Sequence, residues 1–444
     1  MMRKPNAFPT GVTGCIFLFS IFSIAFPVGN GFKVCPLALS GDINEASSSF
    51  NFDFFSTTVL SEKGGLFSGT YAGRDEESIF EFTGNCSHGF SLSEMVRGSE
   101  FPNGVTLGGP SPPGTSIFLS ATNITLPNTD TQEEIYFVEK NGVAGITTLV
   151  SERVVTQWGR FHSLGKPHYG NKRGVCIFPG EVGDVKGLYG GWLAEDGELI
   201  VRALVNTTTL VPGSTFQRFK FLDYPTLDDD GLVFFGSSSY PAKPALYFSN
   251  ISNIENETLA ALRALVTSES HLPAPFHDEK YVAFAEPALS GKKVVFLAQG
   301  SGGTKGIFMV DVDSLEVTTV AHTGKQFYDL RMPPAVYGSN VAFHATRVDY
   351  KSTIIVQNDL QCGGAYREVV SEGQLLNGQK LLYVLFYKYE INGDGMVFYG
   401  VLEDGSFGLF WVELTDDDCG SALSPPIQIL EDTTVNTITA ADVQ

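Results

Sequence analysis

The chain has 444 residues, with 48 Gly, 35 Phe and 16 Tyr, only 18% charged residues and a formal charge of −20. That balance describes many short apolar strands separated by turns rather than charged amphipathic helices. A surface this acidic repels phosphate backbones and anionic lipid, so nucleic acid is excluded as an expected partner, as is direct binding to a membrane surface.

In chain order the first element is an address. Arg3 and Lys4 precede the apolar run GCIFLFSIFSIAF, Gly14 to Phe26, and small residues Ser23 and Ala25 stand where a signal peptidase would cut. Residues 1–25 read as a secretory signal peptide, 26–50 as an N-terminal extension, 51–435 as the main fold and 436–444 as a C-terminal tail. The run is 13 residues long with Pro27 and Gly29 directly behind it. That is too short for a hydrocarbon layer of about 30 Å, so no stable membrane span is expected. The chain is expected to be secreted; anchoring by an uncleaved N-terminal segment is the alternative.

Two features fit an oxidising, glycosylating compartment. Candidate N-glycosylation sequons stand at Asn85, Asn123, Asn206, Asn250 and Asn256. With Cys15 in the leader, Cys35, Cys86, Cys176, Cys362 and Cys419 are left, isolated from one another and without a C-x-x-C motif, so disulfides are expected and a zinc cluster is not. Spacing does not give connectivity. Cys362 with Cys419 is preferred, because both fall just after an outer-type strand in successive repeats.

The repeats organise everything after residue 50. The stretches LDYPTLDDDGLVFFGS, FAEPALSGKKVVFLAQ, MPPAVYGSNVAFHAT and FYKYEINGDGMVFYGV each hold a short turn, then a strand ending in a small residue: Gly236, Ala298, Ala345 or Gly400. A second apolar strand follows each one, as in KPALYFSN and KGIFMVDV, and weaker copies precede them. Marker residues Phe67, Phe118, Ile177, Phe234, Phe296, Phe343 and Phe398 recur at intervals of 51, 59, 57, 62, 47 and 55 residues. Four short antiparallel strands repeated about every fifty residues make an all-β fold of the β-propeller type. Seven blades are expected, with six or eight as alternatives. One four-stranded sheet cannot bury both faces, so the blades must stack. The pattern P-x-L-x-x-x-G-x-V-x-F, followed by G-I-F/Y and V-A-x-x-G, resembles the repeats of secreted proteins of uncharacterised function predicted to form β-propellers. It is clearest from Leu222 to Leu414. The resemblance implies strand and turn placement and no residue roles.

Motifs for chemistry are thin. The run GSGGTKG, Gly300 to Gly306, has the wrong order for a phosphate loop and is followed by a strand, so it reads as a hairpin connection. Acidic turns at Asp228–Asp230, at Asp416–Asp418 and at Asn392 with Asp394 could take Ca²⁺, but sister repeats fill the same turn with Ser-Gly, so no cofactor is assigned. The most basic island is GRFHSLGKPHYGNKRG, with Arg160, His162, Lys166, His168, Lys172 and Arg173. It reads as a solvated loop between blades, with a small site for an anion or acidic sugar as the alternative. His271 and His277 read as loop residues; His322 and His344 read as satisfied strand residues. Glu286, next to Pro287, is only a formal candidate for acid–base work, and catalytic residues are otherwise unassigned. The preferred function is a secreted propeller serving as a protein- or glycan-binding scaffold, with extracellular partners engaging the loops at one end of the ring. A carbohydrate-active propeller enzyme with carboxylates near the central channel is the alternative.

Overall fold

A computed structural model describes residues 26–27, 32–40, 52–61, 64–71, 77–101, 105–110, 116–123, 132–139, 146–152, 155–156, 159–170, 175–194, 198–228, 231–238, 243–251, 259–324, 326–358, 366–376, 378–388 and 390–414. Its strands form seven antiparallel sheets, and the seven marker residues fall one per sheet, each in the second strand. The fourth sheet is typical: Phe219–Leu227, Gly231–Ser238, Pro244–Asn250 and Ala260–Thr267 pair in chain order. Most markers sit opposite an aromatic partner, Phe343 facing Ile355 being an exception. Phe234 faces Tyr247, Phe296 faces Phe308 and Phe398 faces Phe410, the last pair stacked with ring centroids 5.3 Å apart. The small residue two positions on shares that face, and a Cβ at Gly236 or Gly400 would come within about 3.0 Å of neighbouring rings.

Stacking between sheets supplies the core. Seven clusters of buried apolar side chains each join two successive sheets, and one of them, with Phe67, Phe80, Val397 and Trp411, joins the seventh to the first. The sheets therefore close a ring, and the chain is an all-β propeller.

Closure uses a segment from the far end of the chain. The seventh sheet takes Gln379–Leu385, Gly395–Leu402 and Phe407–Glu413, and its fourth strand is Lys33–Leu39, paired Val34 to Val412 and Cys35 to Trp411, with Phe26–Pro27 on its far side. Residues 26–50, expected to be an extension ahead of the propeller, thus contribute a strand to it. No local pattern marks this, because the partner lies at the other end of the sequence. A disulfide between Cys35 and Cys86 then ties this strand to the first sheet. Glu413 reinforces the junction: its carboxylate accepts from the Cys86 amide at 2.9 Å and pairs with Lys33 at 3.4 Å. Cys362 and Cys419, preferred from the sequence, lie outside the described residues, and Cys176 is a buried free thiol.

GSGGTKG is the turn between strands Lys293–Gly300 and Lys305–Asp311. The Glu279 carboxylate occupies the space an anion would take, accepting from the Gly302 amide at 2.8 Å and the Thr304 hydroxyl at 2.6 Å. A Cβ at Gly300 or Gly302 would collide with it, which explains the glycines.

His344 is buried in the sixth sheet, where burial lowers its pKa from 6.5 to about 4. Between those values the unfolded chain takes up a proton that the folded chain refuses, so stability falls as pH drops through this window, by roughly 3 kcal/mol at one to one-and-a-half kcal/mol per unit. In His344→Gln, urea unfolding at pH 7 and pH 4 should show a smaller acid-induced loss than the parent; an unchanged loss would assign the slope to other groups.

Candidate functional site

The first strand of each repeat lies innermost, and six of the seven meet at a central cavity of about 550 Å³. Each of these strands is interrupted near its middle. Pairing lapses at residues 165–167 between Gly159–Leu164 and His168–Gly170, at Ala285–Pro287 between Tyr281–Phe284 and Ala288–Ser290, and at Arg331–Pro334 between Phe327–Leu330 and Ala335–Tyr337. Phe52–Ser61 shifts register between Phe55 and Thr58, and Phe219–Leu227 between Asp223 and Thr226. After Leu385 pairing resumes only at Ile391. In four of these places a proline removes the amide that a ladder needs: Pro167, Pro225, Pro287 and the Pro333–Pro334 pair. Tyr224 and Met332, each at or beside such a proline, adopt positive φ of 53° and 43°, strained conformations of the kind that collect at functional sites.

The interruptions turn side chains into the cavity: Lys166, His168, Asp223, Tyr224, Glu286 and Lys388 all line it. Lys388 is the hub. Its ammonium forms an ion pair with Glu286 and donates to Thr226 Oγ1 at 3.0 Å and to the Pro287 carbonyl at 3.3 Å. Burial lowers its pKa to about 8, against the opposing pull of Glu286. Glu390 is fully buried behind the wall, where burial holds its carboxyl well above the usual range, and it accepts from the Tyr387 amide at 2.6 Å. Burial, then the charges of Lys388 and Lys166, depress His168 so that it stays neutral. Burial raises Asp223, with Glu286 adding to the effect. Lys166 feels Glu286 and Glu390 at a distance, yet among the described residues its ammonium makes no hydrogen bond or ion pair.

Above this charged floor the exposed positions of the inner strands are more often apolar than polar. In the first half of the inner strands a bulge puts two successive exposed residues between buried ones, as in Phe219–Leu222 and Leu381–Val384, and in Phe327–Leu330 an exposed and a half-buried one. The exposed positions carry Phe221, Val282, Tyr328, Leu382 and Tyr383, together with the polar His162, Ser163 and Lys220. Connections at the same end expose Leu210, Phe216, Val348, Tyr350 and Leu375, and Tyr328 and Tyr350 pack with ring centroids 4.9 Å apart. Of the large apolar side chains exposed among the described residues, only Tyr224, midway, and Leu315 and Tyr337, at the opposite end, lie elsewhere. A side groove beside Phe216 at the apolar end is edged by Lys186, Arg218 and Lys220.

The basic island is therefore divided. Its middle is the inner strand of the third sheet, not a solvated loop between blades: Lys166 and His168 reach the cavity, and His162 is exposed on the strand above them. Lys172 and Arg173 lie outside the described residues. Glu286 is in the cavity, while Asp223, Tyr224 and Lys388 were not singled out from the sequence. A signal for them existed: Lys166, Tyr224 and Glu286 each stand immediately before the proline of the inner-strand repeat.

The remaining candidates sit away from the cavity. His271 Nδ1 lies 2.7 Å from the His277 carbonyl, within a connection between sheets. His322 Nδ1 lies 2.8 Å from the Thr323 carbonyl. Asn85 and Asn250 are exposed and Asn206 is half-buried, whereas Asn256 and the side chain of Asn123 lie outside the described residues. Among the described residues no group of three His, Cys, Asp or Glu could hold a metal ion. Asn392 instead caps its turn, accepting from the Asp394 and Gly395 amides.

No family model and no curated protein matches the sequence. Among solved structures, the chain is similar to a puromycin hydrolase S511A mutant (TM-score 0.50, 13% identity), over 87% of this chain and 55% of that one. It is also similar to an oligogalacturonate lyase from Vibrio parahaemolyticus (TM-score 0.51, 11% identity), over 90% of this chain and 98% of that one. The β-propeller domain of the Trilobed protease from Pyrococcus furiosus gives a TM-score of 0.46 at 10% identity, over 84% of this chain and 100% of that one. The chain thus spans little more than half of the puromycin hydrolase, and at these identities the likeness is one of fold.

Proposed function

We propose that this chain is a secreted seven-bladed propeller that binds a polypeptide partner across the end of the ring where the inner strands begin. The observation that carries the reading is the concentration of exposed apolar side chains on that one end, leading into the central cavity. Apolar patches of this kind on a soluble surface mark interaction sites. Aliphatic residues such as Val282 and Leu382 among the rings suit apolar side chains better than the hydroxyl-rich faces of a sugar. The leader, the sequons and the Cys35–Cys86 bond support an extracellular setting.

The test is an array of immobilised twelve-residue peptides probed with the full chain and with two paired variants. Tyr328→Ser with Tyr350→Ser should lower the retained signal at least tenfold, whereas Leu315→Ser with Tyr337→Ser, at the opposite end, should not. Equal behaviour of the two pairs would sink the assignment of the face. The enzyme alternative has one observation in its favour, the carboxylates Glu286, Asp223 and Glu181 at the cavity. Glu286 is engaged by Lys388, however, and Glu390 does not border the cavity. Turnover of an oligosaccharide that is abolished by Glu286→Gln would favour the enzyme over the binding module.

A further inference from the structure

Resting on the polypeptide reading, we propose that the central cavity is a seat for a carboxylate and that Lys166 recognises the free C-terminal carboxylate of a partner segment ending in an apolar residue. The charges around the cavity are not equivalent. Lys388 is held by Glu286, Thr226 and the Pro287 carbonyl, so both members of that ion pair are committed. Glu390 is sealed behind the wall, where its neutral form is favoured. His168 is neutral as well and adds no charge, Lys186 at the cavity edge is paired with Glu181 at 3.4 Å, and burial raises the Asp223 carboxyl toward its neutral form. Lys166 is left as a half-buried cation lining the cavity without a direct partner among the described residues.

A half-buried ammonium without a partner loses hydration and regains nothing, and a carboxylate arriving from the channel supplies what is missing in a low-dielectric setting where the pair is strengthened. The path to it fixes the rest of the ligand. Phe221, Val282, Tyr328 and Leu382 are exposed on the inner strands ahead of it, with Lys220 and His162 among them, so the residues just before the carboxylate meet a face that is more apolar than charged. Capture of a chain terminus also suits a narrow central hole better than capture of an internal segment, which would have to enter and leave by the same mouth.

The experiment uses the full chain and acetylated hexapeptides ending in Leu, Phe or Val, each made as the free acid and as the C-terminal amide, with binding measured by calorimetry. The free acids should bind at least tenfold tighter than the amides. Lys166→Met should bring the acids down to the amide level without affecting the amides, and Lys166→Arg should restore most of the difference. Equal binding of acid and amide in the parent chain would overturn the carboxylate seat while leaving the polypeptide reading in place. Failure of every peptide in both forms, on a chain shown folded by its unfolding transition, would overturn both. Binding of digalacturonate that requires Lys166, with no peptide bound, would overturn the peptide terminus as occupant and move the seat to an acidic sugar.

Discussion

Replacing Cys35 and Cys86 together by serine is expected to lower the stability of the propeller by about 4 kcal/mol, the chain-entropy value for a loop of this length. The bond closes a separation of 51 residues and ties the N-terminal strand Lys33–Leu39 of the seventh sheet to the first sheet. The strand Lys33–Leu39 finds its partner, Phe407–Glu413, only at the other end of the chain. Its other ties are the ladder itself, the burial of Val34, Leu37 and Ala38 in the clusters on its two faces, the Ser40 amide on the Phe407 carbonyl at 2.7 Å, and the part-buried pair of Lys33 with Glu413. Cys35 is buried in the cluster that holds Phe82 and Trp411, so the bond fixes the strand at the centre of the last interface. Urea unfolding of the oxidised parent and of the double serine variant measures the difference. A loss below about 1 kcal/mol would show that the ladder and core already hold the closing strand without help from the bond.

Much of this architecture is legible in the sequence, because it repeats. Phe234, Phe296, Phe343 and Phe398 mark the second strand of their sheets, since the same packing problem, a ring against the next strand and a small residue two positions on, recurs in each unit. Closure is not legible. Lys33–Leu39 looks like any short apolar segment, and nothing near it in the chain names a partner more than 360 residues away. The disulfide follows the same logic: Cys35 lies in a strand of the seventh sheet and Cys86 in the turn between Ser78–Asn85 and Gly89–Arg97 of the first, which only ring closure makes adjacent.

The cavity is intermediate. Its prolines are visible in the alignment of repeats, but their consequence is not. Only when Pro167, Pro225 and Pro287 are seen to interrupt innermost strands does the residue before each become a channel residue. Lys166 and Glu286, side by side in function, are separated by two repeats in sequence. Lys388 was hidden more thoroughly, because its repeat has lost the proline and reads FYKYEING.

Replacing Lys388 alone by methionine should destabilise the fold by about 3–5 kcal/mol, the cost of leaving one member of a buried ion pair uncompensated. The residue spans the channel: it belongs to the seventh sheet, Glu286 to the interrupted inner strand of the fifth, and Thr226 to the fourth. Its loss removes a brace between sheets that are not neighbours in the ring, as well as an ion pair. Glu286→Gln should behave differently. Lys388 then remains buried without its counter-charge, and because burial has already lowered it to about 8, it can shed its proton instead. A lysine whose folded pKa lies below its unfolded value of 10.5 adds stability that is present above the unfolded value and lost as pH falls through the folded one. The deficit of Glu286→Gln should therefore be largest near neutral pH and shrink as the pH is raised toward 10. The double variant Lys388→Met with Glu286→Gln should recover most of the loss of the first, since neither charge is left buried alone. Chemical unfolding of all four proteins at pH 7 and pH 9.5 completes the double-mutant cycle. Strictly additive losses, with no narrowing of the Glu286→Gln deficit at high pH, would mean that the pair does not brace the channel.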